Sequence, residues 1–332
     1  MASQLFTKHR NAFFGVLISV LAVLWIWKAV GFSGFGPAAR QANYVYLIPC
    51  VLLILLTVVL YGLRWRQLLE GAADSQTCFV ATLLSLGGNM FLPARAGDLL
   101  RLHHTREHAQ LAWSDLLGRL VVEKIVDLFT IAAVGALAFF FLLHVNAQAL
   151  GSSAFVLGTA IAVVLIAVGV AILKFAHQPL ITVLGRVFGL LGLKVLFERH
   201  IVRLVASVQD LLTPRLLVLP VVTTLFLWLG IYAGVYIFAG RLLGIDLPYP
   251  EALMVLSIGT LGLMLPGAPS GLGTYHASVV SAFLILGRPA AEGLLLATVI
   301  HFLFFVVLGL PVVLLYLYWH VKRVRSAWSK NA

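Results

Sequence analysis

Long runs of apolar residues, separated by short polar segments, dominate the pattern along this chain. A helix needs about 20 apolar residues to cross the hydrocarbon core of a bilayer. Six runs come close to or exceed that length, and we expect each of them to be a transmembrane helix. These predicted spans are Phe13 to Phe32, Tyr44 to Leu63, Ile125 to Leu143, Ala154 to Leu173, Leu216 to Gly240 and Leu294 to Tyr318.

The first run has an alternative interpretation. Lys8 and Arg10 precede it, as basic residues precede the apolar core of a secretory signal peptide. The apolar stretch continues to Phe32, however, and many further spans follow it. We therefore expect an uncleaved first helix.

Two further apolar runs, Phe79 to Ala94 and Ala252 to Ala268, are too short to cross comfortably and contain a Leu-Pro step, where a helix tends to break. We predict a re-entrant, broken helix at each. Met90 to Asp98 also resembles Met264 to Gly271, since each contains Leu-Pro followed by a glycine four or five residues on. Chance similarity is one explanation, and an inverted repeat whose halves enter from opposite faces is the other.

Composition agrees with a lipid-embedded chain. The sequence is 61% hydrophobic and 11% charged, about half the charged fraction of a soluble globule, and its mean hydropathy is +1.04. The predicted fold class is an all-α integral membrane protein, with about six full transmembrane helices and two oppositely oriented re-entrant helices. We expect residues 1–332 to form a single polytopic domain.

The net charge of +11 is concentrated in short basic runs beside the spans, as in cytoplasmic loops, so we attribute it to membrane topology and expect no nucleic-acid partner. Three basic residues stand apart on the opposite side: Arg40, Arg241 and Arg288. The predicted location is the bacterial inner membrane with both termini in the cytoplasm. The basic set is Lys8, Arg10, Arg64, Arg66, Arg95 to Arg119, Lys174 to Arg215, Lys322, Arg323, Arg325 and Lys330.

Two segments are predicted to lie on the cytoplasmic surface. In 175–214, apolar residues recur at helical spacing with basic residues between them. This pattern is typical of an amphipathic helix on anionic headgroups, and equally of a solvated linker helix. Residues 319–332 are predicted to be a basic cytoplasmic tail.

Charged residues follow the first broken helix. A charge at the bilayer centre costs about 3 kcal/mol, so such residues pair or face a cavity. We hypothesise a polar cluster open to the cytoplasm, with Arg95 and Arg101 available to a lipid phosphate. In the alternative, Arg101 pairs with Glu123 only to hold the broken helix in place. The members of the cluster are Arg95, Asp98, Arg101, Glu123 and Asp127, with Gly97 in the same stretch.

The second broken helix carries a different set, namely Pro266, Gly271, Gly273 and His276. Its glycines permit a tight turn whose backbone amides can face an anion. His276 either contacts a headgroup or packs in the interior. His301 lies within a span and is expected to face the protein interior.

Metal or nucleotide chemistry has little support in the sequence. His104 to His108 matches the His-x-x-Glu-His pattern of some zinc peptidases, but no suitable distal glutamate is apparent. There is no Walker-type phosphate loop. We expect no metal and no cofactor.

At these residues the chain resembles the lysylphosphatidylglycerol synthase transmembrane family, also described as flippase-like membrane proteins. Asn89 to Arg101 is similar to its Pro-x-x-x-Gly-Glu-x-x-Arg, Val121 to Asp127 to its Val-x-Glu-Arg-x-x-Asp, and Pro266 to His276 to its Pro-rich Gly-x-Gly turn. Asp98, Lys124 and His276 depart from the usual Glu, Arg and Glu. The resemblance covers about residues 10 to 320.

The resemblance implies the lipid-translocating half of such proteins without their soluble synthase domain. The expected function is a transporter or flippase for a phospholipid or an isoprenoid lipid of the hopanoid type, with a membrane lipid as substrate. The expected substrate site comprises the cluster and turn residues named above. Two alternatives are an intramembrane enzyme that uses Asp98 and Glu123 as acid and base, and an accessory scaffold that binds lipid-biosynthesis proteins.

Overall fold

The computed structural model describes residues 35–92, 95–145, 164, 171, 181–183, 185–186, 202–211, 213–264 and 269–331. All regular structure in this part of the chain is helical. In chain order the helices are α1 Phe35–Gln41, α2 Leu47–Leu68, α3 Ser75–Gly88, α4 Gly97–Ala109, α5 Trp113–Val145, α6 Arg203–Leu211, α7 Pro214–Leu225, α8 Ala233–Leu242, α9 Tyr249–Met264, α10 Thr274–Ile285, α11 Ala290–Phe304 and α12 Leu310–Asn331.

Two π-helical turns interrupt longer rods. Phe226–Tyr232 joins α7 to α8, and Phe305–Gly309 joins α11 to α12. Short 3-10 turns occupy Tyr44–Tyr46 and Pro269–Gly271. Each π-helical turn therefore lies inside a continuous apolar rod rather than at its end.

Four rods in the described part are long and apolar enough to cross a membrane: Tyr44–Leu68, Trp113–Leu142, Leu216–Leu242 and Ala290–Val321. They coincide with four of the six predicted spans. Of the other two, Phe13 to Phe32 lies outside the described residues, as does Ala154 to Leu173 apart from helical residues 164 and 171. The protein is an all-helical, multi-pass membrane protein.

Helix α2 has one face buried in the protein and one exposed apolar face. One face of the helix is buried among other helices and carries Cys50, Ile54, Tyr61 and Arg64. The opposite face would be an unusually large apolar patch in a water-soluble protein, and it is the face we assign to lipid. Its exposed residues are Ile48, Leu52, Leu55, Val59 and Leu63.

The two predicted broken helices are each part of a helical hairpin. In the first hairpin (75–109), α3 ends at Gly88 and packs against α4, which begins at Gly97; in the second hairpin (249–285), α9 ends at Met264 and packs against α10, which begins at Thr274. The described residues between the two helices of each hairpin are called its break. Gly97 allows the arms of the first to approach, because a Cβ there would collide with the carbonyl of Ser85 and the amide of Asn89.

One correction concerns α5, which was predicted to begin at Ile125. The helix begins at Trp113 and runs to Val145. Glu123 and Asp127 therefore lie well inside a long rod and are buried. A position near the helix end would have let Asp127 reach the interface, whereas the observed position requires internal partners.

Two apolar cores lie on either side of these acidic residues. The larger joins the second hairpin to α2, α5, α8 and α11. The smaller includes Trp65, Leu102 and Leu116, together with Val208 and Leu211 of α6. Helix α6 is the longest described piece of the predicted amphipathic segment 175–214, most of which lies outside the described residues. Residues 319–331 continue α12.

Candidate functional site

The breaks of the two hairpins face one central cavity of about 400 Å³. Asn89, Met90 and Arg95 line it from the first break, and Ser270 lines it from the second. Apolar side chains of α5, α9 and α11 form much of the wall, while charged side chains of α4 and α5 form one polar region. The cavity is thus amphipathic and of the size of a small-molecule pocket.

A buried ion cluster of Arg64, Arg101, Glu123 and Asp127 lies beside the cavity. Arg101 holds Glu123 by two parallel hydrogen bonds of 2.8 and 2.9 Å. Arg64 holds Asp127 at 2.6 and 3.1 Å and also reaches Glu123 at 3.2 Å. Forked guanidinium–carboxylate pairs of this kind offset the cost of burying the charges. The cluster joins α2, α4 and α5.

Aromatic rings fix both guanidinium groups in place. Arg101 lies 3.9 Å above the ring of Trp65, and Arg64 lies 4.4 Å above that of Tyr61. The indole of Trp65 donates a hydrogen bond to Thr105, one turn after Arg101 on the same helix. Stacking and forked pairing together leave both arginines buried.

Asp98 has a separate set of partners at the start of α4. Its Oδ1 accepts hydrogen bonds from Ser85 at 2.5 Å and from Asn89 at 3.3 Å. Its Oδ2 lies 3.4 Å from the ammonium of Lys124, which is also 3.7 Å from Glu123. The Lys124 side chain is 38% exposed, so this cation remains accessible from the cavity.

Arg95 has the least constrained charge on the cavity wall. Its backbone is left-handed, with φ 56°, within the break of the first hairpin. The side chain is exposed and lines the cavity. It makes no hydrogen bond or ion pair with the described part of the chain.

The break of the second hairpin presents neutral polar groups. Ser270, Gly271 and Gly273 adopt positive φ values of 58°, 66° and 92° and so reverse the chain tightly. Ser270 hydrogen-bonds to His301, which stands in α11. The hydroxyl of Tyr275 pairs with that of Tyr236 at 2.8 Å.

The predicted site residues separate into three groups. The first group lines the cavity and consists of Arg95, Asp98, Arg101, Glu123 and Asp127. The second group supports the wall without lining it: Gly97, Gly271 and Gly273 shape the two breaks, and His276 stacks on His301 with ring centroids 5.1 Å apart. Pro266 lies outside the described residues.

Sequence reasoning missed Arg64 and Lys124 as members of the site. Arg64 stands beside Arg66 at the end of a span and was interpreted as a surface marker of topology. The helical spacing from Tyr61 to Arg64 was the available signal, since it places both on the inward face of α2. Both π-helical turns also supply cavity residues, including Trp228, Tyr232 and Leu308, and such turns are frequent at functional sites.

In the described part of the chain, the residues of the zinc-peptidase pattern belong to no group of three potential metal ligands. His104 and His108 stack with ring centroids 4.4 Å apart, and Glu107 instead lies 3.3 Å from His103. Thr105, inside the pattern, is buried and bonded to Trp65. The pattern belongs to one helix of the first hairpin.

Comparison with known proteins places the chain in a family. It is 25% identical over 129 residues to a protein of Haloferax volcanii named Glycosyltransferase AglD; the match spans 38% of this chain and only 21% of that protein. No solved structure matches the chain. The family described as Lysylphosphatidylglycerol synthase TM region matches residues 12–327. Since that match covers nearly the whole sequence, this protein belongs to the lysylphosphatidylglycerol synthase transmembrane region family.

Proposed function

We propose that this protein moves a phospholipid, or an isoprenoid lipid of the hopanoid type, between the leaflets of the bacterial inner membrane. The observation that carries the proposal is the amphipathic cavity between the breaks of the two hairpins. A lipid headgroup needs polar partners on its way through the hydrocarbon region, and its chains need apolar surroundings. The cavity offers both within one enclosure.

We propose further that the hairpins are re-entrant and enter from opposite faces. The C-terminal end of α2 carries Arg66, and Arg119 bonds to the carbonyl of Leu68 there at 2.7 Å. At the other end of α2, Asn43 bonds to Leu242 at 2.9 Å, next to Arg241. Arg66 and Arg119, of the basic set, therefore lie at one end of α2, and Arg241 lies near the other end. Helix α2 is about 33 Å long. This separation supports cytoplasmic termini.

Transport fits the site better than enzymatic chemistry does. An acid–base role for Glu123 requires a carboxylate that can reach a substrate, yet Arg64 and Arg101 occupy both of its oxygens and its side chain is 0% exposed. Asp98 is likewise held by Ser85, Asn89 and Lys124. We therefore propose that the protein is a transporter rather than an enzyme. We also propose that it receives its lipid from lipid-biosynthesis proteins.

The test is translocation of fluorescent lipids by the purified full chain in liposomes, with dithionite used to quench label in the outer leaflet. Thr260 lines the cavity on α9, whereas the adjacent Leu261 is exposed on the outer surface. We expect Thr260→Trp to fill the cavity and reduce the translocation rate at least tenfold. Leu261→Trp, the matched control, should retain the wild-type rate.

Two results would contradict the proposal. Wild-type protein that moves no lipid faster than empty liposomes would exclude a stand-alone transporter. Equal rates for Thr260→Trp and the wild type would remove the cavity from the pathway. Stable co-purification of lipid-biosynthesis proteins with a chain inactive in transport would favour the scaffold instead.

A further inference from the structure

The charges around the cavity fall into a sequestered set and an accessible set. The sequestered set is the buried ion cluster, in which two guanidinium groups meet two carboxylates: Arg64, Arg101, Glu123 and Asp127. Its formal charges cancel. The arginine side chains are only 1% and 2% exposed, so burial keeps both guanidinium groups from a ligand in the cavity.

The accessible set has an excess of positive charge. It contains Arg95, which makes no ion pair with the described residues, Lys124, which is 38% exposed, and Asp98. Two cations and one carboxylate leave a formal charge of +1. The distance of 3.4 Å between Lys124 and Asp98 is longer than the guanidinium contacts of the buried cluster, so this cation is the easier one to share with a ligand.

A cationic headgroup finds no equivalent partner in the described part of the cavity. The three carboxylates that line it, those of Asp98, Glu123 and Asp127, already hold the cations Lys124, Arg101 and Arg64. An ammonium group entering the cavity would compete with an internal cation for each of them. The same ammonium would also be repelled by Arg95.

Two polar atoms of residues in the cavity wall have no hydrogen-bond partner among the described residues. The indole Nε1 of Trp228 is buried in the cavity wall and has no acceptor among the residues that the structure describes. Phosphate ester oxygens that carry no proton accept hydrogen bonds only, so they match an unpaired donor as well as a free guanidinium. Within the described part of the chain the amide oxygen of Asn89 also lacks a partner, and a lipid hydroxyl can donate to it without adding charge.

We infer that the substrate is a lipid with an anionic phosphate headgroup and no ammonium group, and that Arg95 and Lys124 clasp this phosphate. The inference rests on the proposed function and narrows it. Phosphatidylglycerol and a polyprenyl phosphate both carry this chemistry. Phosphatidylethanolamine and lysylphosphatidylglycerol do not, because each bears an ammonium group.

The first experiment is native mass spectrometry of the full chain with an equimolar mixture of phosphatidylglycerol, phosphatidylethanolamine, lysylphosphatidylglycerol and undecaprenyl phosphate. We expect at least tenfold enrichment of the two ammonium-free lipids over the other two. The ratio between phosphatidylglycerol and undecaprenyl phosphate then identifies the source of the phosphate. Equal binding of all four lipids, or preference for lysylphosphatidylglycerol, would overturn the inference.

Arg95→Gln tests the role of the free guanidinium. A charge-assisted hydrogen bond to phosphate corresponds to roughly a tenfold change in affinity. We therefore expect Arg95→Gln to lose about that factor for phosphatidylglycerol and to leave phosphatidylethanolamine binding unchanged. Arg66→Gln is the matched control, since Arg66 is exposed and does not line the cavity. Identical selectivity in both variants would remove Arg95 from the site.

Translocation assays separate the failure of this inference from the failure of the proposed function. Transport of all headgroups at one rate would retain a lipid transporter and overturn the charge selectivity. Faster transport of phosphatidylglycerol than of phosphatidylethanolamine, reduced by Arg95→Gln, would support both. Absence of transport with retained selective binding would overturn the proposed function and leave the assigned headgroup chemistry in place.

Discussion

The two hairpins share a layout but differ in the charge beside their breaks. The first hairpin concentrates charge beside its break, at Arg95, Asp98 and Arg101. The second has no Asp, Glu, Lys or Arg from 252 to 287, and its nearest charges pair at its base, where Arg288 meets Glu251 at 2.6 Å. The break of the first hairpin therefore presents ions to the cavity, whereas the break of the second presents the hydroxyl of Ser270.

Partners account for this difference. Charges in a low-dielectric interior persist only when opposite charges meet them, and α2 and α5 supply those charges to the first hairpin. Near its break the second hairpin needs only neutral contacts, such as Ser270 with His301 and Tyr275 with Tyr236. We therefore expect substitutions beside the break of the first hairpin to have much larger effects on stability than those at the base of the second.

The largest effect is expected for Glu123→Gln. This change leaves Arg101 buried without its carboxylate and removes one partner of Arg64. Breaking a buried pair in this way costs about 3–5 kcal/mol. Thermal unfolding in detergent, followed by size-exclusion chromatography, should show a strongly lowered midpoint or no folded protein. A midpoint equal to that of the wild type would mean that the cluster does not hold the first hairpin.

A smaller effect is expected for Gly97→Ala, which tests the close approach of the two arms of the first hairpin. The added methyl group would meet the carbonyl of Ser85 and the amide of Asn89, and overpacking of this kind costs about 1–3 kcal/mol. Gly36→Ala is the control, because no atom of the described residues lies within 4 Å of a Cβ at Gly36. The same thermal assay should separate the two variants, and equal midpoints would show that the arms can move apart freely.

The base of the second hairpin should matter less. Arg288 and Glu251 are 23% and 21% exposed, so solvent screens the pair, and we expect a coupling energy of about 0.5–1 kcal/mol. A double-mutant cycle with Arg288→Gln and Glu251→Gln measures it. Arg288 also donates a hydrogen bond to the carbonyl of Asp246 at 2.7 Å. The loss of this bond is common to both variants that carry Arg288→Gln, so it cancels in the coupling energy between Arg288 and Glu251. A coupling energy as large as the destabilisation by Glu123→Gln would contradict the expected difference in stability effects between the two hairpins.

The smallest effect concerns the first turn of α3. Asp74 caps this helix, and the hydrogen bonds that Thr77 donates to its carboxylate lower its pKa below the ordinary value of 3.8. The stabilisation is therefore fully present above pH 3.8 and is lost as the pH falls through the lowered pKa. Thermal midpoints of the wild type should decline slightly more between pH 5 and pH 3 than those of Asp74→Asn, which keeps a capping oxygen without the charge. Parallel decline of both proteins would contradict this.

The apolar pattern predicted the four rods because a run of apolar residues is a local property of the sequence. It misplaced the start of α5, since Arg119, Glu123 and Lys124 resemble a polar loop when their partners are not known. Those partners come from distant parts of the sequence: Arg64 from α2 and Arg101 from α4. Pairing across such separations cannot be deduced from one sequence.

The site was predicted unevenly for the same reason. Its acidic residues and Arg95 stood out because they follow a break or interrupt an apolar run. Arg64 was hidden beside Arg66, and Trp228 was hidden among apolar neighbours within a π-helical turn. The irregular hydrogen bonding of that turn depends on packing rather than on any residue type. Which of the two arginines after the break is free and which is sequestered emerged only from the contacts of Arg95 and Arg101.

The most direct test of lipid binding between the two breaks is an electron cryomicroscopy structure of the full chain in nanodiscs that contain phosphatidylglycerol. We expect headgroup density in the cavity, within hydrogen-bond distance of Arg95 and Lys124, with the acyl chains leading into the bilayer. Lipid density confined to the outer surface of the helices, with the cavity closed or filled by side chains, would contradict it.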